Sequence, residues 1–232
     1  MLSQPRLLYS LFMNVPSAPV TSRQTEPHPR LTETVLKHLE RSWLKPVADH
    51  SRMVFDDLLP LVEGWSGPVT LDSGCGTGMS TSALARKNPH ALVLGIDKSA
   101  DRLGRHHDLP GNARLVRMDL EDFWCLASER KWEFERQCFF YPNPWPKPEH
   151  RLRRWPFHPV LPLAVACGGI FEVRTNWDIY AQEFAIAFGL LTGIAPATEV
   201  WTPKVPETLF EKKYLESGHR LWRWEAAIPS RK

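Results

Sequence analysis

A chain of 232 residues is long enough for one α/β domain with a substantial buried core and too short for two full catalytic domains. Its 43% hydrophobic and 24% charged residues are those of a globular protein, and no apolar run approaches the ~20 residues that cross a bilayer. The net charge of +3 leans mildly towards anionic partners and does not by itself call for nucleic acid.

The cysteines, Cys75, Cys125, Cys138 and Cys167, form no CxxC pair and match neither a zinc site nor a disulfide framework. They read as reduced thiols of a cytoplasmic protein, with no metal expected. Residues 1–28 read as a disordered extension. Residues 1–24 carry Arg6 and Arg23 but no acid, a composition also found in organelle transit peptides. The apolar patch 7–13 has no sustained amphipathic period, which favours a plain extension with Met13 as the initiator.

Residues 29–232 then form a single domain with an N-terminal helical extension. In 31–43, Leu31, Val35, Leu39 and Trp43 recur at spacing four, and 47–65 has the same helical rhythm, with Pro46 between them. From Val69 the pattern alternates. Short apolar strands at 69–71, 91–96, 114–118, 137–141 and 169–174 are separated by helical stretches beginning at Met79, Ser99, Glu121, Pro159 and Trp177. Two later segments, 194–201 and 218–227, supply closing strands. Alternation of this kind means βαβ units, and so an α/β, Rossmann-like architecture: a mainly parallel seven-stranded sheet with helices on both faces.

The strongest local signal is Asp72-Ser73-Gly74-Cys75-Gly76-Thr77-Gly78, between a strand and a helix. Gly74, Gly76 and Gly78 let the backbone turn tightly and approach a ligand, and the helix N-terminus beyond favours electron-rich ligand atoms. A dinucleotide loop would read GxGxxG; this one is GxGxG with an acid two residues before it. Asp72 would repel a pyrophosphate, whereas it attracts the ammonium of S-adenosyl-L-methionine. Asp97 ends the next strand, where an acid accepts both hydroxyls of a ribose, and Asp119 ends the following one, where a side chain can bond an adenine amino group. Any one of these could be a helix cap; three in succession at strand ends point to that cofactor.

The segment from Phe139 to Arg154 begins as a strand and becomes a proline-stiffened loop that puts Asn143 beside the cofactor's methyl group. Lys147, Arg151, Arg153 and Arg154 against Glu149 give a local charge of +3, which suits a phosphate backbone. The alternative is a solvated basic loop. Here the chain resembles the TrmB-type tRNA (guanine-N7)-methyltransferases. Their Phe-Pro-Asp-Pro-Trp-x-Lys stretch with its His and Arg run is matched by Tyr141 to Arg154. Their Gly-Gly-x-Phe…Thr-Asp-Trp-x-x-Tyr-Ala stretch is matched from Gly168 to Ala181, and their Thr-x-Phe-Glu…Gly-His motif by Thr208 to Glu211 with Gly218 and His219.

The resemblance implies a class I methyltransferase fold and tRNA as partner. It implies that Asp72, Asp97 and Asp119 bind the cofactor, that Asn143 occupies the catalytic position, and that Lys147, Asn176, Thr208 and Glu211 line the substrate pocket. Positions 143 and 176 are Asp in the family and Asn here. Guanine N7 has a free lone pair, so no proton need leave, but the methylated purine becomes cationic. Losing one carboxylate beside that charge costs about 2–4 kcal/mol, or 10²–10³ in rate. Three readings follow: a tRNA guanine-N7 methyltransferase, a methyltransferase of this fold with another acceptor, or an RNA-binding homologue weakened in catalysis. His28, His38, His106, His107 and His158 have no metal or triad spacing. Trp43, Trp65, Trp222 and Trp224 read as packing, and Cys75 as a small residue that fits the loop or as an alkylation-sensitive thiol.

Overall fold

The computed structural model of the chain describes residues 16–41, 43–105 and 108–228. Seven strands are β1 (Val69–Ser73), β2 (Leu92–Asp97), β3 (Ala113–Arg117), β4 (Arg136–Phe140), β5 (Gly169–Thr175), β6 (Glu199–Trp201) and β7 (Leu221–Ile228). They form one sheet in the order β3-β2-β1-β4-β5-β7-β6. The first five are parallel and β7 runs antiparallel to both its neighbours. The strand order reverses between β1 and β4, so a crevice opens at their carboxyl ends, the place where open α/β sheets bind ligands.

The helices are α1 (Leu31–Leu39), α2 (Asp49–Glu63), α3 (Met79–Lys87), α4 (Ala100–Leu103), α5 (Leu120–Glu129), α6 (Leu161–Ala166), α7 (Asp178–Thr192) and α8 (Leu209–Glu216), with two 3-10 turns at Pro148–Arg153 and Trp155–Phe157. The α/β sheet expected from the alternation is present, and local chemistry trims its elements. The helix expected over 31–43 ends at Leu39, and Trp43 turns back onto the core. The helix expected at Ser99 is a single turn, capped by Ser99 Oγ on the Arg102 N–H and ended by Gly104. The closing strand expected over 194–201 shrinks to three residues, since Pro196 has no N–H for a ladder.

An aromatic layer fills one face of the sheet. Trp124 of α5 stacks on Phe139 of β4, which stacks on Phe171 of β5 at 5.6 Å. Phe184 and Phe188 of α7 close over this row and over Trp224 of β7. All six are at most 1% exposed. Gln137, also buried, accepts the Trp124 Nε1–H and donates to the carbonyls of Ala164 and Gly168, whereas the buried Trp224 Nε1 has no partner.

Residues 1–15 of the expected extension, and His106 and His107, lie outside the described residues. Residues 17–28 were expected to be disordered, and they differ: their polar groups find partners on the domain. The Ser17 N–H donates to Ser217 Oγ, Ser22 Oγ donates to the Pro146 carbonyl, and Gln24 Nε2 and the His28 N–H both donate to Glu183. These residues form a strap across the carboxyl end of the sheet.

At the opposite end Gly169 starts β5 with φ 83°, and a Cβ there would sit 2.1 Å from the Phe134 carbonyl oxygen. Gly169→Ala is expected to lower the unfolding free energy by more than about 2 kcal/mol through backbone strain and steric conflict. That corresponds to a melting temperature about 4–8 °C lower, to be read by circular dichroism.

Candidate active site

The Gly loop closes the carboxyl end of β1. The N–H groups of Gly74 and Cys75 both donate to the Ile96 carbonyl, which fastens the loop to β2. Gly74 and Gly76 have φ of 77° and 61°, and a Cβ on either would meet nothing within 4 Å. Backbone conformation, not crowding, therefore demands glycine, and the space in front of the loop is open. Behind it Asp72 is 1% exposed and accepts hydrogen bonds from Ser80 Oγ (2.6 Å) and Thr81 Oγ1 (2.7 Å) in the first turn of α3. Burial pushes its carboxyl up to about 6, against the lowering effect of the two hydroxyls.

Asp97 sits at the end of β2. Its Oδ2 accepts the Gly76 N–H at 3.0 Å, and its Oδ1 accepts the Ser99 N–H at 2.8 Å and faces Arg102 Nη2 at 2.9 Å. Asp119 occupies the N-cap position of α5 but makes no side-chain cap bond, so the capping explanation does not hold for its carboxylate. Ser73 Oγ is buried with no hydrogen-bond partner. The three aspartates thus come to neighbouring strand ends, with the glycine loop, as the spacing predicts. Cys75 is buried and its thiol is pushed well above its ordinary range by burial, so it stays protonated and inert.

The facing wall begins where β4 ends. Tyr141 and Trp145 hold φ of 52° and 45°, conformations that bulky residues rarely adopt. Tyr141 donates its N–H to the Arg174 carbonyl (2.8 Å) and its hydroxyl to Glu211 Oε1 (2.7 Å). Burial and the Glu211 charge hold the phenol well above its usual range, so it remains a donor. Asn143 is exposed on this loop, and its Oδ1 accepts the Trp145 N–H at 3.3 Å. Lys147 is exposed, the Arg153 guanidinium lies 4.7 Å over the Trp145 ring, and half-buried Arg151 has a partnerless Nε.

Asn176 follows β5. Its Nδ2 lies 3.2 Å from His219 Nδ1, and His219 Nε2 lies 2.8 Å from the Ser17 carbonyl. A carbonyl can only accept, so Nε2 carries the hydrogen, and in the neutral ring Nδ1 accepts from the Asn176 amide. His219 also stacks on Tyr214, with ring centroids 5.0 Å apart.

Three residues expected to bind the substrate have their polar groups committed within the protein. Arg154 is fully buried, with Nη1 2.7 Å from Glu183 Oε2, itself fully buried, so it is not offered to a phosphate. Thr208 caps α8 by accepting the Glu211 N–H. Glu211 is fully buried and accepts from Tyr141, the Glu207 N–H, Arg174 and Trp201 Nε1. The hub of that cluster is Arg174, which pairs with Glu172, Glu207 and Glu211 and lies 4.0 Å over the Phe140 ring. The motifs did not single out Arg174, Tyr141, Glu183 or Ser73. One signal for Arg174 was available: Glu172 and Arg174 sit two apart in an apolar strand and so share a face.

Among the described residues no group of three or more His, Cys, Asp or Glu is arranged to hold a metal, and no helix is long and apolar enough to cross a membrane. A family model described as "Putative methyltransferase" matches residues 66–224. Among curated proteins, tRNA (guanine-N(7)-)-methyltransferases of Escherichia coli strains are 28% identical over 207 residues, covering 83% of this chain and 85% of theirs. Among solved structures, an antibiotic-related methyltransferase superposes with a TM-score of 0.56 at 15% identity, over 74% of this chain and 94% of that one. A 16S rRNA (adenine(1408)-N(1))-methyltransferase variant from Catenulisporales acidiphilia, solved with its cosubstrate, gives 0.52 at 14% identity, over 76% and 92%. At such identities these two likenesses establish the fold alone.

The raised carboxyl of Asp72 has a signed consequence. A folded-state value above the unfolded 3.8 favours the protonated form in the fold, so that stability is full below 3.8 and lost as pH rises through about 6. Asp72→Asn abolishes the ionisation. Its unfolding free energy relative to wild type is expected to rise by about 2 kcal/mol between pH 4 and pH 7, in urea titrations without ligand.

Proposed function

Because this chain belongs to the TrmB-type tRNA (guanine-N7)-methyltransferase family, we propose that it transfers a methyl group from S-adenosyl-L-methionine to N7 of a guanosine in tRNA, in the cytoplasm. The observation that carries the reading is the open, left-handed glycine turn flanked by Asp72, Asp97 and Asp119 at the switch point of the sheet.

The residues present fit the cofactor. The glycine turn leaves room for a ligand against bare backbone, and the orphaned Ser73 hydroxyl supplies a polar group without a partner beside it. Asp97 accepts ribose hydroxyls, with Arg102 and the Gly76 N–H fixing its carboxylate. Asp119, uncommitted as a cap, accepts from the adenine amino group. Asp72 braces the first turn of α3 and lends a buried negative charge to the side where an ammonium belongs. When bound, this cofactor supplies an electrophilic methyl group on a sulfonium.

On the acceptor side the protein has little proton chemistry to do. Guanine N7 attacks through its own lone pair, so the pocket must orient the base and tolerate the positive charge that forms. Asn143 meets this with an amide dipole in place of a full charge. Asn176 lies beside His219 Nδ1 and brings an amide in place of a carboxylate to the second wall. Lys147, Arg151 and Arg153 are placed to meet phosphates along the rim.

The test is incubation of the protein with labelled S-adenosyl-L-methionine and bulk tRNA, followed by nucleoside analysis. Labelled N7-methylguanosine is the expected product, and a different labelled nucleoside would assign the enzyme another acceptor. Asn143→Asp restores a carboxylate beside the forming cation and is expected to raise kcat at least tenfold, and at most by the 10²–10³ that such a contact contributes. A rate unchanged by that substitution removes Asn143 from the charge-stabilising position.

A further inference from the structure

We propose that Arg154 is a positioning residue for methyl transfer, whose buried guanidinium sets the placement of the Asn143 loop against the Asn176 wall. The inference builds on the reading above. Every nitrogen of the guanidinium is committed. Nε donates to the Trp145 carbonyl at 3.1 Å and Nη2 to the Lys147 carbonyl at 3.4 Å, two and four residues beyond Asn143 on the loop. Nη1 donates to both carboxylate oxygens of Glu183 on α7 and to Gln24 Oε1 of the strap. The guanidinium carbon lies 4.8 Å over the ring of Trp177, the residue next to Asn176. One side chain therefore touches both segments that carry the pocket asparagines.

The loop needs such a tie. Tyr141 and Trp145 both hold left-handed backbone conformations, each unfavourable by about 1–3 kcal/mol unless the surroundings impose it. Tyr141 is held by its bonds to Arg174 and Glu211 at one end. Arg154 holds the other end, with Ser22 Oγ on the Pro146 carbonyl between its two contacts. Stability alone does not explain the arrangement. A buried ion pair is often no more stabilising than apolar side chains of the same volume, whereas a planar fork that reaches two carbonyls and a carboxylate specifies one loop geometry. Misplacement of a reacting group by about 1 Å loses about 10² in rate.

The double substitution Arg154→Met with Glu183→Leu separates the two roles, because it removes both buried charges together. The expected result is a melting temperature within a few degrees of wild type and S-adenosyl-L-methionine affinity within threefold. Exchange of the Tyr141 and His150 amides, which are hydrogen-bonded to the Arg174 and Lys147 carbonyls at the two ends of the loop, should be at least tenfold faster, and kcat on tRNA about 10²-fold lower. Arg154→Lys keeps the charge opposite Glu183 but cannot reach the three partners at once, and it covers the case in which the double variant does not fold; it should show the same loop exchange and a loss of kcat of at least tenfold. A folded variant with wild-type amide exchange in the loop overturns the proposal, as does unaltered kcat with fast exchange. Since the exchange readout needs no RNA, it stands even if bulk tRNA proves not to be the acceptor.

Discussion

Two buried guanidinium groups hold the loops at the carboxyl end of the sheet together. Arg174 joins β5 to the carboxylates of Glu172, Glu207 and Glu211, and Arg154 joins the loop after β4 to Glu183 of α7. Between them runs the segment Tyr141 to Lys147, whose backbone is strained at two aromatic residues. A parallel sheet leaves its strand ends as loops, and loops placed near a ligand need fixing from behind. Here the fixing is ionic and out of reach of water, where a hydrogen bond from a charged donor is worth more than at a surface.

The same logic runs through the cofactor half at smaller scale. Asp72 and Asp97 act on the glycine loop before they can act on any ligand: one braces α3 through two hydroxyls, the other takes the Gly76 N–H and is held by Arg102. Beside the loop lie the buried, partnerless Ser73 hydroxyl and Asp119, whose side chain makes no cap bond. The raised carboxyl of Asp72 records what keeping such a group dry involves.

The asparagines at 143 and 176 belong to a locally consistent set. Asn176 donates to the one His219 nitrogen that can accept, because the other donates to the strap. An aspartate at 176 would require a hydrogen on that accepting nitrogen, and therefore an imidazolium.

Periodicity and spacing carried the sheet, the helix on either side of Val69–Gly78, and the three aspartates at strand ends, because each of those is a local pattern: a strand's apolar run, a turn's glycines, an acid at a fixed place after a strand. Burial is not local. Arg154 stands in a run of four cationic side chains, and nothing in that run says that one of them points inward to Glu183, 29 residues further on. Thr208 and Glu211 read as pocket residues because they share a motif, yet only the folded chain brings Tyr141 and Arg174 onto Glu211. Residues 17–28 are polar and proline-bearing by themselves; they acquire structure because the domain offers Glu183, Pro146 and Ser217 as partners. The sequence alone determined which chemistry this protein is built for. The tertiary structure decided which charges face the ligand and which hold the walls, since that choice depends on partners brought together from distant parts of the chain.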